Sequence, residues 1–412
     1  MHISIFGRRN SGKSSLINAL TNQALAIVSD VPGTTTDPVS KSMEILPIGP
    51  VVLTDTAGID DTGELGKLRV DKSLRVLERT DLAVLVVESG TEPREFEADL
   101  VSKIKERDIP LVIAATKTDI QPDFSAIRKW AEEHSVLCVP VSSATRDGIE
   151  RLKEAIIQIS PAGLPEPTII GDLITGGDIV VLVVPIDTGA PKGRLILPQV
   201  MTIRDVLDHD AIAVTVKERD LSACLDSLAQ KPKLVVTDSQ AFAKVNADTP
   251  RDVLMTSFSI LMARFKGDLE KFVAGARAAG HLKPGDRVLI SEGCTHHRQP
   301  DDIGRKQIPG YLTKLVGGEL EFGFSSGKDF PPDFASYDLI VHCGGCMINA
   351  REMRYRQRLA SEAGVPMTNY GVLLAKVNGI LERALEPFAA GRTALDATTG
   401  QGTVTPNEAM PS

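Results

Sequence analysis

Over residues 1–160 the apolar residues come in short, β-branched runs set between longer stretches of mixed polarity. HISIFG, EILPI, VVLTDTAG, LAVLVVES, LVIAATKTD and VLCVPVSSA each read as a strand. Their apolar positions are consecutive rather than alternate, as in a largely parallel sheet covered on both faces. ISPAGLPEP, residues 159–167, carries three prolines and a glycine and marks a linker.

A second unit is expected over residues 168–260. DIVVLVVPID, GRLILPQV, AIAVTVKE, KLVVTDS and DVLMTSFS read as strands, and ERDLSACLDSLAQ and SQAFAKV as helices. A third unit, 261–390, opens on one long helical stretch, ILMARFKGDLEKFVAGARAAG. DRVLISEG, ELEFGFSSG, YDLIVHCGG and PMTNYG then alternate with the helical stretches IGRKQIPGYLTKLV and NAREMRYRQRLASEAG, again the rhythm of a parallel sheet. Residues 391–412 are small and polar, and a disordered tail is expected there.

The chain has 412 residues, 42% hydrophobic and 24% charged, an ordinary composition for globular domains with real cores. A net charge of −8 argues against a generic trap for nucleic acid or an anionic membrane surface. No apolar run approaches the ~20 residues that span a bilayer. The opening MHISIFGRRN becomes strand and loop at once, so no signal peptide is read and the cytoplasm is the expected compartment. Five cysteines make no disulfide framework. Cys138 and Cys224 lie among apolar neighbours and read as small core residues, whereas Cys294, Cys343 and Cys346 lie in Gly- or His-rich sequence.

GRRNSGKSS, residues 7–15, matches G-x-x-x-x-G-K-[ST] between a strand and a helix, the context the phosphate-binding motif requires. Backbone N–H groups of Gly7, Asn10, Ser11, Gly12, Lys13, Ser14 and Ser15 can face phosphate, helped by the helix N-terminus. Lys13 is placed for the β- and γ-phosphates and Ser14 for Mg²⁺. DTAG ends a strand and places Asp55 toward Mg²⁺ and the Gly58 N–H toward the γ-phosphate. TKTD follows, with Thr116, Lys117 and Asp119: the Asp119 carboxylate can accept the N1–H and 2-amino protons that guanine presents together, and Lys117 can lie along the base. Ser142, Ser143 and Ala144 stand where a backbone N–H meets the guanine O6.

These motifs, in this order, resemble the translation-factor class of P-loop GTPases, which implies GTP binding and hydrolysis with Mg²⁺. PGTTTD resembles the switch loop of the Era and tRNA-modification GTPases, in which the residue at the position of Thr35 ligates Mg²⁺. Asn10 resembles the asparagine that holds K⁺ in potassium-stimulated members of that group. Ile59 follows DTAG where a water-orienting glutamine is usual, so slow hydrolysis, suited to a switch, is expected. Thr116 replaces the usual asparagine of the base-recognition motif, and its shorter side chain questions contact with the base or the phosphate loop.

The remaining thiols form a split pattern. Cys294-x-His296 is followed, after 45 residues, by His342-Cys343-x-x-Cys346. A C-x-x-C turn lets two thiolates reach one metal centre. Cys294 follows one predicted strand and Cys343 another, at the carboxyl ends where open α/β sheets form their crevices. Three cysteines suit a [4Fe–4S] cluster with one iron left for another ligand, while Cys₃His also suits structural zinc. His296 and His342 are candidates for the fourth position, or for a neighbouring role, ahead of His297. Arg351, Arg354 and Arg358 share one helix face, read as a solvated face or as positive charge beside the thiolates.

A GTPase of this subtype followed by C-x-H…H-C-x-x-C resembles, over nearly the whole chain, the HydF family of [FeFe]-hydrogenase maturation GTPases. The resemblance implies an α/β chain with an N-terminal P-loop GTPase domain, a middle α/β dimerisation domain and a C-terminal parallel α/β cluster domain. It implies a homodimeric scaffold that binds a [4Fe–4S] cluster through Cys294, Cys343 and Cys346, with His296 and His342 as motif histidines. It further implies receipt of a di-iron precursor made with radical-SAM maturases and delivery to apo-[FeFe]-hydrogenase. Two readings compete: a potassium-stimulated, RNA- or ribosome-associated GTPase with structural zinc, and an enzyme whose chemistry occurs at its own cluster. No RNA-binding module and no radical-SAM C-x₃-C-x₂-C run is found in the sequence.

Overall fold

The computed structural model describes residues 1–22, 39–56, 75–160, 168–185, 195–293, 302–327 and 330–388. The chain divides into two compact units, Met1–Glu166 and Pro167–Ser412.

The first unit is built on six strands: β1 (His2–Gly7), β2 (Val39–Ile45), β3 (Gly49–Asp55), β4 (Leu82–Glu88), β5 (Leu111–Thr116) and β6 (Leu137–Pro140). They lie in the order β2-β3-β1-β4-β5-β6. Only β2 runs antiparallel, in a hairpin with β3 that pairs Ile45 with Gly49. The strand expected at EILPI therefore ends at Ile45 and begins earlier, at Val39; Pro47, with no N–H, cannot extend the ladder. Successive residues of the central strands feed two separate cores. Ile3, Ile5, Val84, Val112 and Ala114 pack on one face, and Phe6, Leu85, Val87, Ile113 and Ala115 on the other. Two buried faces are why the runs read as continuously apolar.

The second unit holds two parallel four-stranded sheets. One contains β7 (Ile179–Val183), β8 (Ile212–Val216), β9 (Leu234–Thr237) and β10 (Leu254–Ser257), in the order β10-β9-β7-β8. The other contains β11 (Arg287–Glu292), β12 (Glu321–Ser326), β13 (Leu339–His342) and β14 (Met367–Asn369), in the order β12-β11-β13-β14. A single apolar core runs from Ile169 to Phe388 through both.

Two expectations change here. GRLILPQV, expected as a strand, supplies the start of a helix, Leu197–Asp208. Pro198 sits in its first turn, where a missing N–H costs nothing, and the Gln199 side chain accepts from the Ile196 N–H. The long helix expected from 260 is two helices, Phe258–Lys266 and Leu269–Ala278. Gly267 breaks them, and the Asp268 carboxylate caps the second by accepting from the Lys271 N–H. Phe258, Ile260, Leu261, Met262 and Ala263 are all buried, so the first of these helices lies inside the core. Among the described residues no helix is long and apolar enough to cross a membrane.

Candidate functional site

Two sites emerge, one in each unit. In the first, β1 ends at Gly7, whose backbone runs so close to β4 that a Cβ there would lie 2.4 Å from the Val86 carbonyl oxygen. The loop then turns through Asn10, exposed and left-handed at φ 60°, into the helix Lys13–Thr21, for which Gly12 is the N-cap. Lys13 folds back over the loop and donates to the carbonyls of Gly7 (3.0 Å) and Arg8 (2.6 Å). Ser11 is buried, its hydroxyl donating to the Arg8 carbonyl at 2.8 Å.

Ser14 and Asp55, 41 residues apart, meet at the carboxyl ends of the strands: Ser14 Oγ donates to Asp55 Oδ2 at 2.5 Å. The other carboxylate oxygen, Oδ1, is buried with no hydrogen-bond partner. Burial raises the Asp55 carboxyl above its usual range, opposed by the Ser14 hydroxyl and the charges of Lys13 and Lys41. A hard cation would satisfy that orphaned oxygen, so this pair fits Mg²⁺.

Thr116, whose contacts were in question, is buried at the end of β5. Its hydroxyl donates to the Ser11 carbonyl at 2.6 Å. The shorter side chain thus still ties the base-recognition strand to the phosphate loop. Beside it opens a cleft of about 620 Å³ lined by Gly12, Ser15, Thr116, Lys117, Asp119, Ser143 and Ala144 among others. Lys117, at φ 60°, is paired with Glu88 at 2.8 Å. Ser142 is buried and works as a turn residue, its hydroxyl accepting from the Thr145 N–H at 3.1 Å. A contact the motifs did not disclose joins Arg8 to buried Glu97 through two hydrogen bonds, 2.6 and 2.8 Å, anchoring the loop from its other side. Thr35, Gly58 and Ile59 lie outside the described residues.

In the second unit, β13 and β11 run parallel, pairing His342 with Ser291. The ladder continues one residue further, the Cys343 N–H donating to the Ser291 carbonyl at 2.9 Å. Cys343 Sγ accepts N–H groups from Gly293 (3.1 Å) and Gly345 (3.4 Å). Gly345 adopts φ 63°, and a Cβ there would meet Met353 at 2.6 Å, so the C-x-x-C turn requires glycine at that place. Burial pushes the Cys343 thiol up; the two N–H donors oppose this, while Cys346 and Glu292 add to it.

Lys266, at the end of the core helix Phe258–Lys266, holds the turn from beneath. Its buried ammonium donates to the carbonyls of Gly345 (2.7 Å), Cys346 (2.9 Å) and Ile348 (2.9 Å). Burial lowers its pKa, and the neighbouring Cys346 and Cys343 act in the opposite sense. A thiol with N–H donors aimed at its sulfur and a buried cation close by suits a thiolate metal ligand.

His342 is fully buried, and both ring nitrogens are engaged by the protein. Nδ1 lies 2.7 Å from the Cys343 carbonyl and Nε2 3.0 Å from Arg356 Nη1. Burial, reinforced by the Arg356 charge, lowers its pKa to about 3. Arg356 comes from the helix Ala350–Glu362, where Arg354 and Arg358 are exposed as a solvated face should be. Cys294, His296 and His297 lie outside the described residues, and among those described no group of three or more His, Cys, Asp or Glu side chains is placed to hold a metal ion. The residues that sequence reasoning missed, Glu97, Lys266, Glu352 and Arg356, are charged side chains buried inside helices, a placement with no local signature.

Comparison with known families accounts for both units. Residues 270–387 match the hydrogen maturase F tetramerization domain, 169–267 the hydrogen maturase F dimerization domain, and 2–117 a domain described as 50S ribosome-binding GTPase. The tRNA modification GTPase MnmE of Synechococcus sp. (strain JA-3-3Ab) is 39% identical over 168 residues, 40% of this chain and 35% of that protein. MnmE of Bacillus subtilis (strain 168) is 36% identical over 172 residues, 41% of this chain and 36% of that protein. The chain thus spans about a third of the length of these curated relatives. Among solved structures, a point variant of Aquifex aeolicus Era bound to GDP.AlF4- aligns with 60% of this chain and 97% of that chain, at 18% identity and a TM-score of 0.37.

Proposed function

Because this chain belongs to the hydrogen maturase F family and carries a P-loop GTPase domain ahead of the family's two oligomerisation domains, we propose that it is a GTP-hydrolysing scaffold of [FeFe]-hydrogenase maturation. In this reading it holds a [4Fe–4S] cluster, receives a di-iron precursor from radical-SAM maturases, and delivers it to apo-[FeFe]-hydrogenase.

The observation that carries the cluster reading is Cys343, its sulfur accepting two backbone N–H groups at the end of a strand beside the one that leads into Cys294. Cys343 and Cys346, with Cys294, would hold the cluster, and when bound it would supply an iron open to a further ligand. In the first unit, Lys13 would turn from its loop carbonyls to phosphate oxygens, Ser14 and Asp55 would hold Mg²⁺, and Asp119 would select guanine. Asn10, on the exposed turn of the loop, would hold K⁺. Equal GTPase rates in sodium and potassium would remove that role.

A homodimer is part of the proposal. Leu197, Val200 and Leu207 are exposed on the helix Leu197–Asp208, and Ile212 is exposed on β8, the edge strand of its sheet. Exposed apolar side chains at i, i+3 and i+10 of one helix, with another on an edge strand, are suited to a second copy of the chain. Replacing Leu207 and Ile212 with lysine should lower the mass seen by light scattering.

The deciding experiment is anaerobic reconstitution of the full chain with iron and sulfide. A brown protein whose visible absorption is lost in Cys343→Ser supports the reading. A colourless protein that binds one zinc ion per chain would overturn it in favour of a structural metal.

A further inference from the structure

We propose that Arg356 is a positioning residue that locks His342 into one neutral tautomer, so that His342 shapes the backbone at Cys343 and takes no place among the metal ligands. The proposal deepens the cluster reading and rests on it for the identity of the metal, though the lock itself does not need the metal.

Lone pairs decide the tautomer. The Cys343 carbonyl oxygen can only accept, so the His342 Nδ1 at 2.7 Å must carry the hydrogen and donate. The Arg356 guanidinium can only donate, so the His342 Nε2 at 3.0 Å must accept. One nitrogen is spent as a donor and the other has its lone pair occupied. A metal ligand needs a free lone pair, and this ring offers none.

Arg356 is fixed just as firmly. It is fully buried, and Glu352 Oε1 accepts from its Nε at 3.0 Å and from its Nη2 at 2.7 Å. These two residues are four apart on one helix, so the carboxylate is held under the guanidinium by the helix itself. Arg356 Nη2 also donates to the Gly327 carbonyl at 3.4 Å, just beyond β12. A chain of hydrogen bonds therefore runs from Glu352 through Arg356 to His342 and ends at the Cys343 carbonyl.

Strand geometry gives the same answer independently. His342 ends β13, and Cys343 continues its ladder by donating to Ser291. Successive residues of an extended strand point to opposite faces. The imidazole is therefore on the Arg356 side when the Cys343 thiol is on the other, toward Glu292 and Tyr370, whose ionisation that thiol influences. The adjacency of His342 and Cys343 in sequence, which makes the histidine look like a ligand, is what separates the two side chains in space.

The test has a metal-free arm and a metal-loaded arm. The full chain is labelled with ¹⁵N-histidine, and His342 is assigned as the resonance pair lost in His342→Gln. Without iron, the two ring nitrogens should report a single tautomer with hydrogen on Nδ1, and Arg356→Met should shift that pair while leaving the other histidines in place. A hydrogen on Nε2, or a His342 signal indifferent to Arg356→Met, overturns the lock. If Arg356→Met does not fold, the tautomer in the unmodified chain still decides. In the iron-reconstituted protein, reduced and examined by pulsed EPR, His342→Gln should leave the ¹⁵N couplings to the cluster unchanged. A coupling lost in His342→Gln makes it a ligand and overturns the proposal. A chain that takes up no iron–sulfur cluster would defeat the cluster reading alone, because the tautomer measured without metal still decides the lock.

Discussion

At the carboxyl end of β1 the phosphate loop is closed mostly by its own residues: Lys13 bonds to the carbonyls of Gly7 and Arg8, and Ser11 to that of Arg8. At the carboxyl end of β13 the thiol turn is held from far away, by Lys266 about eighty residues upstream, and its first residue is braced through Arg356 on a later helix. Both sites occupy the same kind of place, the mouth of a parallel sheet. On the proposed function, the difference follows from what each would bind. Phosphate is met mainly by backbone N–H groups, which a short glycine-rich loop can supply by itself. A thiolate pair must be oriented and charge-balanced, and two adjacent glycines cannot provide charge.

The largest expected effect treats the sites as separable. Lys13→Ala removes the cation that the proposed function assigns to the phosphates, and GTP hydrolysis should fall by about a thousandfold, comparable to losing one preorganised transition-state donor. Iron uptake by the same variant should match that of the parent. A parallel loss of iron would show that the first site props up the second, and the contrast between a self-closed loop and a remotely held turn would fail.

Next in size is Lys266→Met, which keeps the length and apolar stem but removes the ammonium. Carbonyls of Gly345, Cys346 and Ile348 then lose their donor. With ~1–3 kcal/mol for each buried group left unsatisfied, partly recovered by water, a net loss of about 3 kcal/mol is expected. Urea unfolding followed by far-ultraviolet circular dichroism would measure it. Unchanged stability would mean that the turn is self-supporting, as the phosphate loop is.

The same contrast explains what the sequence disclosed. Gly7, Lys13, Ser14, Asp55 and Asp119 sit at fixed offsets from strand ends, so their grouping followed once the strands were found. The parallel sheets were legible because β4, β5, β7 and β9 are buried at nearly every position. GRLILPQV misled because Leu195, Leu197 and Val200 are exposed, Leu195 ahead of the helix and the other two on it, so the segment has the composition of a strand without the burial. NAREMRYRQRL misled differently. Arg351, Arg354 and Arg358 drew attention as a charged stripe, whereas Arg356, on another face, is the one inside the protein. Nothing local distinguishes an arginine that will be buried. Its partners, Glu352 and His342, become recognisable only once β13 and the helix Ala350–Glu362 lie together.

The smallest effect concerns Thr116, the departure from the base-recognition motif. Its hydroxyl makes the tie to the Ser11 carbonyl, and its side chain lies 3.7 Å from where a Gly12 Cβ would stand. Thr116→Val keeps the shape and removes only the hydroxyl, leaving the Ser11 carbonyl without that donor. A hydrogen bond of this kind is worth about 1 kcal/mol, so nucleotide affinity should weaken by roughly fivefold. Titration calorimetry with GDP and Mg²⁺ would read it. The preference for guanine over adenine should not change, because the proposed function gives the base edge to Asp119, not to Thr116. A selectivity change in Thr116→Val would place the hydroxyl on the base and return the first site to a less self-contained design; an affinity loss alone makes it one more strut between neighbouring strand ends.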